Sequence, residues 1–201
     1  GLQLAVFIGR FVDVVGLAPH LVLGRRVVAD PRDQDRERRV LGGQGAQLVL
    51  IGEEVGRYGG AYGVTKDIIK EFGAERVIDT PISEPSIVGA AVGGAMTGLR
   101  PVAELMYVDF IGMTMDQLGN QAAKIRYMFG GQGRVPMVVR MPIGIWDASA
   151  AQHSQSFESW FAHLPCVVVV CPGTPQDNFS MLRAALACGD PVVYMEHKAL
   201  W

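Results

Sequence analysis

Six short apolar runs recur along the chain, and every gap between them is long enough to hold a helix. The runs are QLVLIG (47–52), RVIDT (76–80), RPVAELMY (100–107), VPMVVRMP (135–142), CVVVVC (166–171) and PVVYME (191–196). Segments of helical length fill the gaps at 64–72, 86–98, 114–128, 154–163 and 175–188. Strands that are apolar throughout bury both faces, and helices between them supply the crossovers that parallel pairing needs. The pattern predicts a doubly wound α/β fold, a mainly parallel sheet with helices on both faces. Right-handed crossovers then gather the functional loops at the carboxyl ends of the strands. Periodicity leaves the strand order open.

Residues 1–45 stand apart from this pattern. They hold an apolar opening, GLQLAVFIGRFVDVVGLAPHLVLG, and a charged run, ADPRDQDRERR, that ends in the turn-forming GGQG. Arg10 and Asp13 fall in the middle of the apolar stretch, where each costs about 2.5–3.5 kcal/mol on an insertion scale, so no membrane span is expected. Residues 46–201 are expected to form one domain, which 201 residues can supply with a substantial core. A formal charge of -2 gives no electrostatic reason to expect nucleic acid. Cys166, Cys171 and Cys188 form no C-x-x-C pair, which argues for a reducing compartment, the cytosol or a mitochondrial matrix. Cys166 and Cys188 read as small core or helix-end residues. Histidines and cysteines cluster nowhere at zinc-ligand spacing.

The glycine-rich stretches fail both nucleotide fingerprints. GRYGGAYGVTK (56–66) lacks a Gly-Lys-Ser/Thr ending, and GAAVGGAMTG (89–98) follows no strand at G-x-G-x-x-G spacing. The second stretch reads as a helix of small residues that presses against a neighbouring backbone or a subunit. Glu84, in DTPISEPS, has two readings. With Pro85 beside it, it suits a helix start and its dipole; at a strand end facing a dry pocket, it suits proton sharing with a ring nitrogen. His153 follows a small-residue loop, with Ser154 as a candidate cap for the next helix, and is placed for acid–base work or simply solvated. Tyr107 or Phe110 can line the same strand-end crevice and stack on a flat heterocycle, or pack in the core. His163 and His197 are read as surface residues.

Seven stretches in order resemble one family: IGEEVGRYGG, RVIDTPISE, GLRPVAELMYVDF, DQLGNQAAKIRYMFGGQ, VRMP, AAQHSQSFESWFAHLP and DPVVYMEHK. They are similar to the beta subunits of thiamine-diphosphate 2-oxoacid dehydrogenases, the pyruvate, acetoin and branched-chain enzymes. The resemblance implies a transketolase-like pyrimidine-binding domain. It implies that Glu84 hydrogen-bonds N1′ of the cofactor's aminopyrimidine, favouring the tautomer whose 4′ nitrogen deprotonates the thiazolium. It places Phe110 on the pyrimidine ring, His153 at the substrate end, and Glu54 and Val55 near the cofactor or an interface. It further implies a structural potassium ion on main-chain carbonyls at Val135, Met137, Ala185, Cys188 and Asp190.

The family binds the diphosphate and Mg²⁺ through a Gly-Asp-Gly motif, which this chain lacks. The resemblance therefore implies an alpha subunit that holds them, a second beta subunit, and a lipoyl-bearing acyltransferase core as acyl acceptor. The implied reaction is oxidative decarboxylation of pyruvate or a related 2-oxoacid, or acetoin cleavage. Three departures from the pattern are plain. Residues before about Ala46 do not resemble the family's opening helix, the chain ends at Trp201, before the family's second α/β domain, and MPIGIWDAS replaces a glycine-rich loop before AAQHSQ. A truncated, catalytically silent fragment is the alternative reading. A free-standing transketolase-type enzyme is disfavoured by the missing diphosphate motif.

Overall fold

Each of the six apolar runs forms a strand. The computed structural model describes residues 47–146 and 148–200, so the segment 1–45 lies outside the described residues. The strands are β1 (Leu48–Gly52), β2 (Val77–Asp79), β3 (Arg100–Glu104), β4 (Val138–Ile143), β5 (Val168–Val170) and β6 (Val192–His197). They make one sheet in the order β2-β1-β3-β4-β6-β5, and every pair is parallel. The chain leaves β1 for one neighbour and returns to the other, so the β1/β3 crevice is a topological switch point. Open α/β sheets bind ligands there, beyond the carboxyl ends of the strands.

Alternate residues face opposite layers, as the pleat requires. Ala103, Val139, Met141, Val193 and Met195 belong to one core. Leu50, Val102, Val138, Val192 and Tyr194 belong to the other. Among the described residues five helices cover the sheet: α1 (Ile68–Phe72), α2 (Glu84–Met96), α3 (Ala123–Met128), α4 (Glu158–Ala162) and α5 (Pro175–Ala187). Helices α1 and α5 contribute Ile68, Leu182 and Leu186 to the second core. Helices α2, α3 and α4 contribute Ile87, Val88, Ile125 and Phe161 to the first. The sheet is thus doubly wound, as its apolar strands predict.

Local chemistry shortens several helices. Helix α1 starts only at Ile68, because Gly63 and Asp67 both adopt positive φ. The expected helix 114–128 is a continuous coil of changing pitch, 3-10 at Val108–Thr114, π at Asp116–Ala122 and α thereafter. Ser154 does not cap a helix. It closes the 3-10 turn Ala151–His153, and α4 begins four residues later, behind Phe157. Helix α5 is capped as the sequence TPQD suggests: the Thr174 hydroxyl accepts from the Asp177 amide at 3.1 Å, with Pro175 in the first turn. Among the described residues the small-residue face of α2 makes no close backbone approach. A Cβ at Gly89 would meet the Gln117 side chain at 3.6 Å, and Gly93 faces open space. Cys166 is exposed rather than core, at positive φ just before the edge strand β5, while Cys188 does close α5.

Candidate functional site at the strand ends

The switch-point crevice is built from the segments that leave β1, β2, β3, β4 and β6. Strand β1 ends on Gly52, where a Cβ would lie 2.7 Å from the Glu104 carbonyl of β3, so glycine lets the two strand ends close together. The chain then turns at Glu53 and Glu54. Glu54 takes a positive φ of 54°, is exposed, and its carbonyl accepts from Gly59 and Gly60 at 3.1 and 2.8 Å. Asp79, the last residue of β2, anchors the same loop: its carboxylate accepts from the amides of Gly56 at 2.6 Å and Arg57 at 3.0 Å. Val55 points into the core, and its carbonyl accepts from the Thr65 hydroxyl at 2.7 Å.

Glu84 opens α2 as the first helical residue, with Pro85 second. The helix-start reading is thus correct, and it does not exclude the other. The side chain is only 4 % exposed, and among the described residues no hydrogen bond or ion pair engages its carboxylate. Its oxygens are not among the fully enclosed, unpaired polar atoms, so the carboxylate keeps an opening through which a ligand can reach it. Its charge is felt by Glu53, to which no sequence motif points. Burial first, and then the charges of Glu84 and Glu54, push the Glu53 carboxyl above the ordinary carboxylate range.

An aromatic cluster completes the crevice. Phe110 lies in the 3-10 turn Val108–Thr114, which packs against α2. Its ring meets Tyr107 edge-on at 6.3 Å and His153 at 5.7 Å. Tyr107 and His153 meet edge-on at 4.5 Å. The Tyr107 hydroxyl shares a 3.1 Å hydrogen bond with that of Tyr62, whose ring lies 6.0 Å from Trp146 in the loop that departs from the family pattern. The structure therefore joins Phe110 and His153 directly, and places Glu84 on the helix that packs against the turn of Phe110. Tyr62 and Trp146 carry no periodic or motif signal, so nothing in the sequence points to them.

Within the sheet lies a buried charge network. Arg140 on β4 pairs with Glu104 on β3 at 2.5 Å and with Glu196 on β6. Asn178 on α5 donates to the second Glu196 oxygen at 2.8 Å and accepts from the Tyr194 hydroxyl at 2.6 Å. Desolvation works against the Arg140 charge, and the two carboxylates more than offset it. Burial pushes Glu196 up, partly opposed by Arg140 and Asn178. This network ties three neighbouring strands into one rigid floor.

The residues expected to hold potassium lie elsewhere, at the amino ends of β4 and β6. The Met137 carbonyl accepts from Val192 and that of Val135 from Met137, both at 2.9 Å, and the Ala185 carbonyl accepts from Cys188 at 3.1 Å. The Asp190 carboxylate pairs with Arg126 at 2.8 Å. Arg100 brings its own cation to the group, donating to the carbonyls of Leu186 at 2.8 Å and Cys188 at 3.0 Å. A potassium ion there would share the Cys188 carbonyl with the Arg100 guanidinium.

Comparison with known proteins agrees with the motifs. The family model described as the transketolase pyrimidine-binding domain matches residues 38–201, starting inside the charged run of the N-terminal segment. Over 187 residues the chain is 43% identical to the beta subunit of acetoin:2,6-dichlorophenolindophenol oxidoreductase from Cupriavidus necator, covering 93% of this chain and 54% of the relative. Over 154 residues it is 47% identical to the pyruvate dehydrogenase E1 component subunit beta of Rhizobium meliloti, covering 77% and 34%. A 2-oxoisovalerate dehydrogenase subunit beta from Bacillus subtilis is 43% identical over 153 residues, covering 76% and 47%. The chain spans about half, or less, of the length of these relatives. A solved split-gene transketolase, an inactive beta4 tetramer, shares the fold with a TM-score of 0.61 at 14% identity, over 82% of this chain and 50% of that one. The chain belongs to the transketolase pyrimidine-binding domain family, and its relatives there include beta subunits of acetoin oxidoreductases and 2-oxoacid dehydrogenases.

Proposed function

We propose that this chain supplies the pyrimidine-binding half of a thiamine-diphosphate enzyme, acting as the beta subunit of a pyruvate or acetoin dehydrogenase. One observation carries the reading: Glu84, a residue only 4 % exposed whose carboxylate meets no hydrogen bond or ion pair among the described residues, opens the helix that packs against the turn of Phe110. An aminopyrimidine fits both features, since it offers a ring nitrogen to an acid and a flat face to an aromatic. When bound, thiamine diphosphate would supply the carbanion-stabilising electron sink for breaking the bond beside the carbonyl.

The chain's own residues do the rest. Glu84 shares a proton with the ring nitrogen and holds the heterocycle in one orientation. Phe110 packs on its face. His153, edge-on to Tyr107 and Phe110, presents an imidazole toward the substrate end, where it moves a proton to or from the reacting group. Glu53 approaches the acid from the β1 side. An alpha subunit completes the site with the diphosphate and Mg²⁺ ligands, because this chain holds no Gly-Asp-Gly. A lipoyl-bearing core would be the acceptor, its disulfide reduced as the transferred unit becomes an acyl thioester.

Exposed apolar side chains support the assembly. Tyr127 is 86 % exposed, Met128 and Phe129 follow it, and Trp160 stands out from α4 while stacked on Phe157 at 4.2 Å. Apolar surface of this kind marks protein interfaces, here with the alpha subunit or a second beta subunit.

The test is to co-produce the chain with a cognate alpha subunit, add thiamine diphosphate and Mg²⁺, and follow pyruvate- or acetoin-dependent reduction of dichlorophenolindophenol. Activity is expected, and Glu84→Gln should lower it at least about 100-fold, the scale of a lost acid–base group. Activity that survives Glu84→Gln would remove the proposed role. The absence of any cofactor-dependent alpha–beta complex by light scattering would instead favour the silent fragment.

A further inference from the structure

We propose that Lys198 is a positioning residue for His153: its ammonium pins the His153 main chain and the Tyr107 ring, and so aims the imidazole into the crevice. This rests on the reading of His153 as a working group of the site. Lys198 begins the 3-10 turn Lys198–Leu200 directly after β6, and only 1 % of it is exposed. Its Nζ donates to the His153 carbonyl and lies 5.1 Å over the Tyr107 ring. Tyr107 is the ring that meets His153 edge-on at 4.5 Å. One ammonium therefore touches both the backbone of His153 and the aromatic wall against which its ring rests.

The segment that carries His153 needs such a hold. Ala148 and Ala150 both take positive φ, 47° and 62°, and Ala150 has ψ of -167°. That combination at Ala150 is populated almost only by glycine, and costs an alanine of order 1–3 kcal/mol unless its surroundings over-determine it. The surroundings here do so from three sides. Lys198 holds the His153 carbonyl. Asp109 accepts from the Gln155 side chain at 2.7 Å and from its amide at 3.3 Å. The Gly144 amide donates to the Gln155 carbonyl at 2.9 Å. The Asp109 and Gly144 bonds act on Gln155, beyond the histidine, and Lys198 alone among these three acts on His153 itself.

A buried ammonium is expensive, and an apolar side chain would fill the same space at lower cost. Burial indeed draws the Lys198 proton affinity below that of a free lysine, with the Asp109 charge opposing the shift. The groups facing the ammonium are the Tyr107 ring, the His153 carbonyl and, at longer range, Asp109. What a cation adds over a methyl group is a charge-assisted bond to the His153 carbonyl and attraction to the ring. Both act on the orientation of His153.

The experiment has two arms. In the first, the full chain alone is labelled with ¹³C-histidine, and the His153 ring signals are assigned through His153→Ala. In the wild type the rings of Tyr107 and Phe110 should displace these signals from those of exposed His163. Lys198→Met should collapse them toward the His163 values while circular dichroism stays native, and Lys198→Arg, which keeps the donor and the charge, should restore them. In the second arm, the assembled alpha–beta enzyme should lose about 10- to 100-fold in kcat with Lys198→Met, the scale of a small misplacement of a reacting group. KM should change less than about twofold, since uniform binding is untouched, and Lys198→Arg should recover most of the loss. Unchanged His153 signals in a folded Lys198→Met chain would overturn the proposal. So would a rise in KM at constant kcat, which would make Lys198 a substrate contact. If the wild-type assembly itself shows no turnover, the functional reading fails, and the first arm still decides the clamp.

Discussion

The carboxyl of Glu53 stands close enough to that of Glu84 to sense its charge, one on the turn after β1 and the other on the first residue of α2. Burial first, then Glu84, raises the Glu53 pKa above the ordinary value of 4.5. A carboxyl raised in the folded state contributes stability that is fully present below the unfolded value and is lost as pH rises through the folded value. Glu53→Gln removes that dependence. The variant should therefore match the wild type in thermal midpoint near pH 4 and exceed it at pH 8, about the two sides of that window. A variant that melts lower than the wild type at pH 8 would mean that Glu53 has a stabilising partner.

The Arg140 network makes a second expectation. Deleting the guanidinium leaves Glu104 and Glu196 buried and facing a lost partner. Arg140→Met should cost about 3–5 kcal/mol in urea denaturation, as breaking a buried ion pair does. The triple variant Arg140→Met, Glu104→Gln, Glu196→Gln should recover most of that loss, because no uncompensated charge remains. Equal losses in the single and triple variants would show that the side chains act through shape rather than charge.

Arg140 and Glu84 also mark how far the sequence alone is legible. Arg140 sits in the middle of an apolar run and on a strand buried along its whole length, so periodicity locates the strand. Its partner Glu104, 36 residues earlier, cannot be paired with it without the strand order. That order follows from which crossovers pack, and local pattern does not encode it. Glu84 is legible because Pro85, the preceding strand and a family motif all converge on it. Glu53 is not, because two adjacent acids in GEEVG look alike, and only the fold leaves Glu54 exposed at positive φ and Glu53 partly buried. Val55 looks like a site residue by adjacency, yet the same turn sends its side chain into the core. Lys198 closes the DPVVYMEHK stretch, yet its contact with His153 is not legible, because it spans 45 residues.

Gly144 and His197 give a third test. Gly144 follows β4 with φ of 80°, and a Cβ there would overlap the His197 imidazole at the end of β6. Gly144→Ala thus meets two costs, an unfavourable backbone conformation of roughly 1–2 kcal/mol and overpacking of about 1–3 kcal/mol. In the His197→Ala background only the first should remain. A double-mutant cycle by chemical denaturation should then give a coupling on the order of 1 kcal/mol or more. No coupling would mean that the ring swings aside freely.

Asp79 offers the last test, because it links the edge strand to the loop that carries Glu53. Its two oxygens accept separately from Gly56 and Arg57, so the carboxylate straddles two consecutive amides at a turn. Such charge-assisted bonds are worth about 1.5–3 kcal/mol each when buried and less here, where Asp79 is exposed. Asp79→Ala frees both amides, while Asp79→Asn keeps one acceptor oxygen and should be intermediate. Hydrogen exchange should therefore speed up at Gly56 and Arg57 in the order wild type, Asn, Ala, with the β4 and β6 amides unchanged. Since the loop bears Glu53, the acid that approaches Glu84, the cofactor dissociation constant of the assembled enzyme should rise in the same order. A loop that exchanges faster while the cofactor binds as before would separate Asp79 from the site, and leave it a purely local brace.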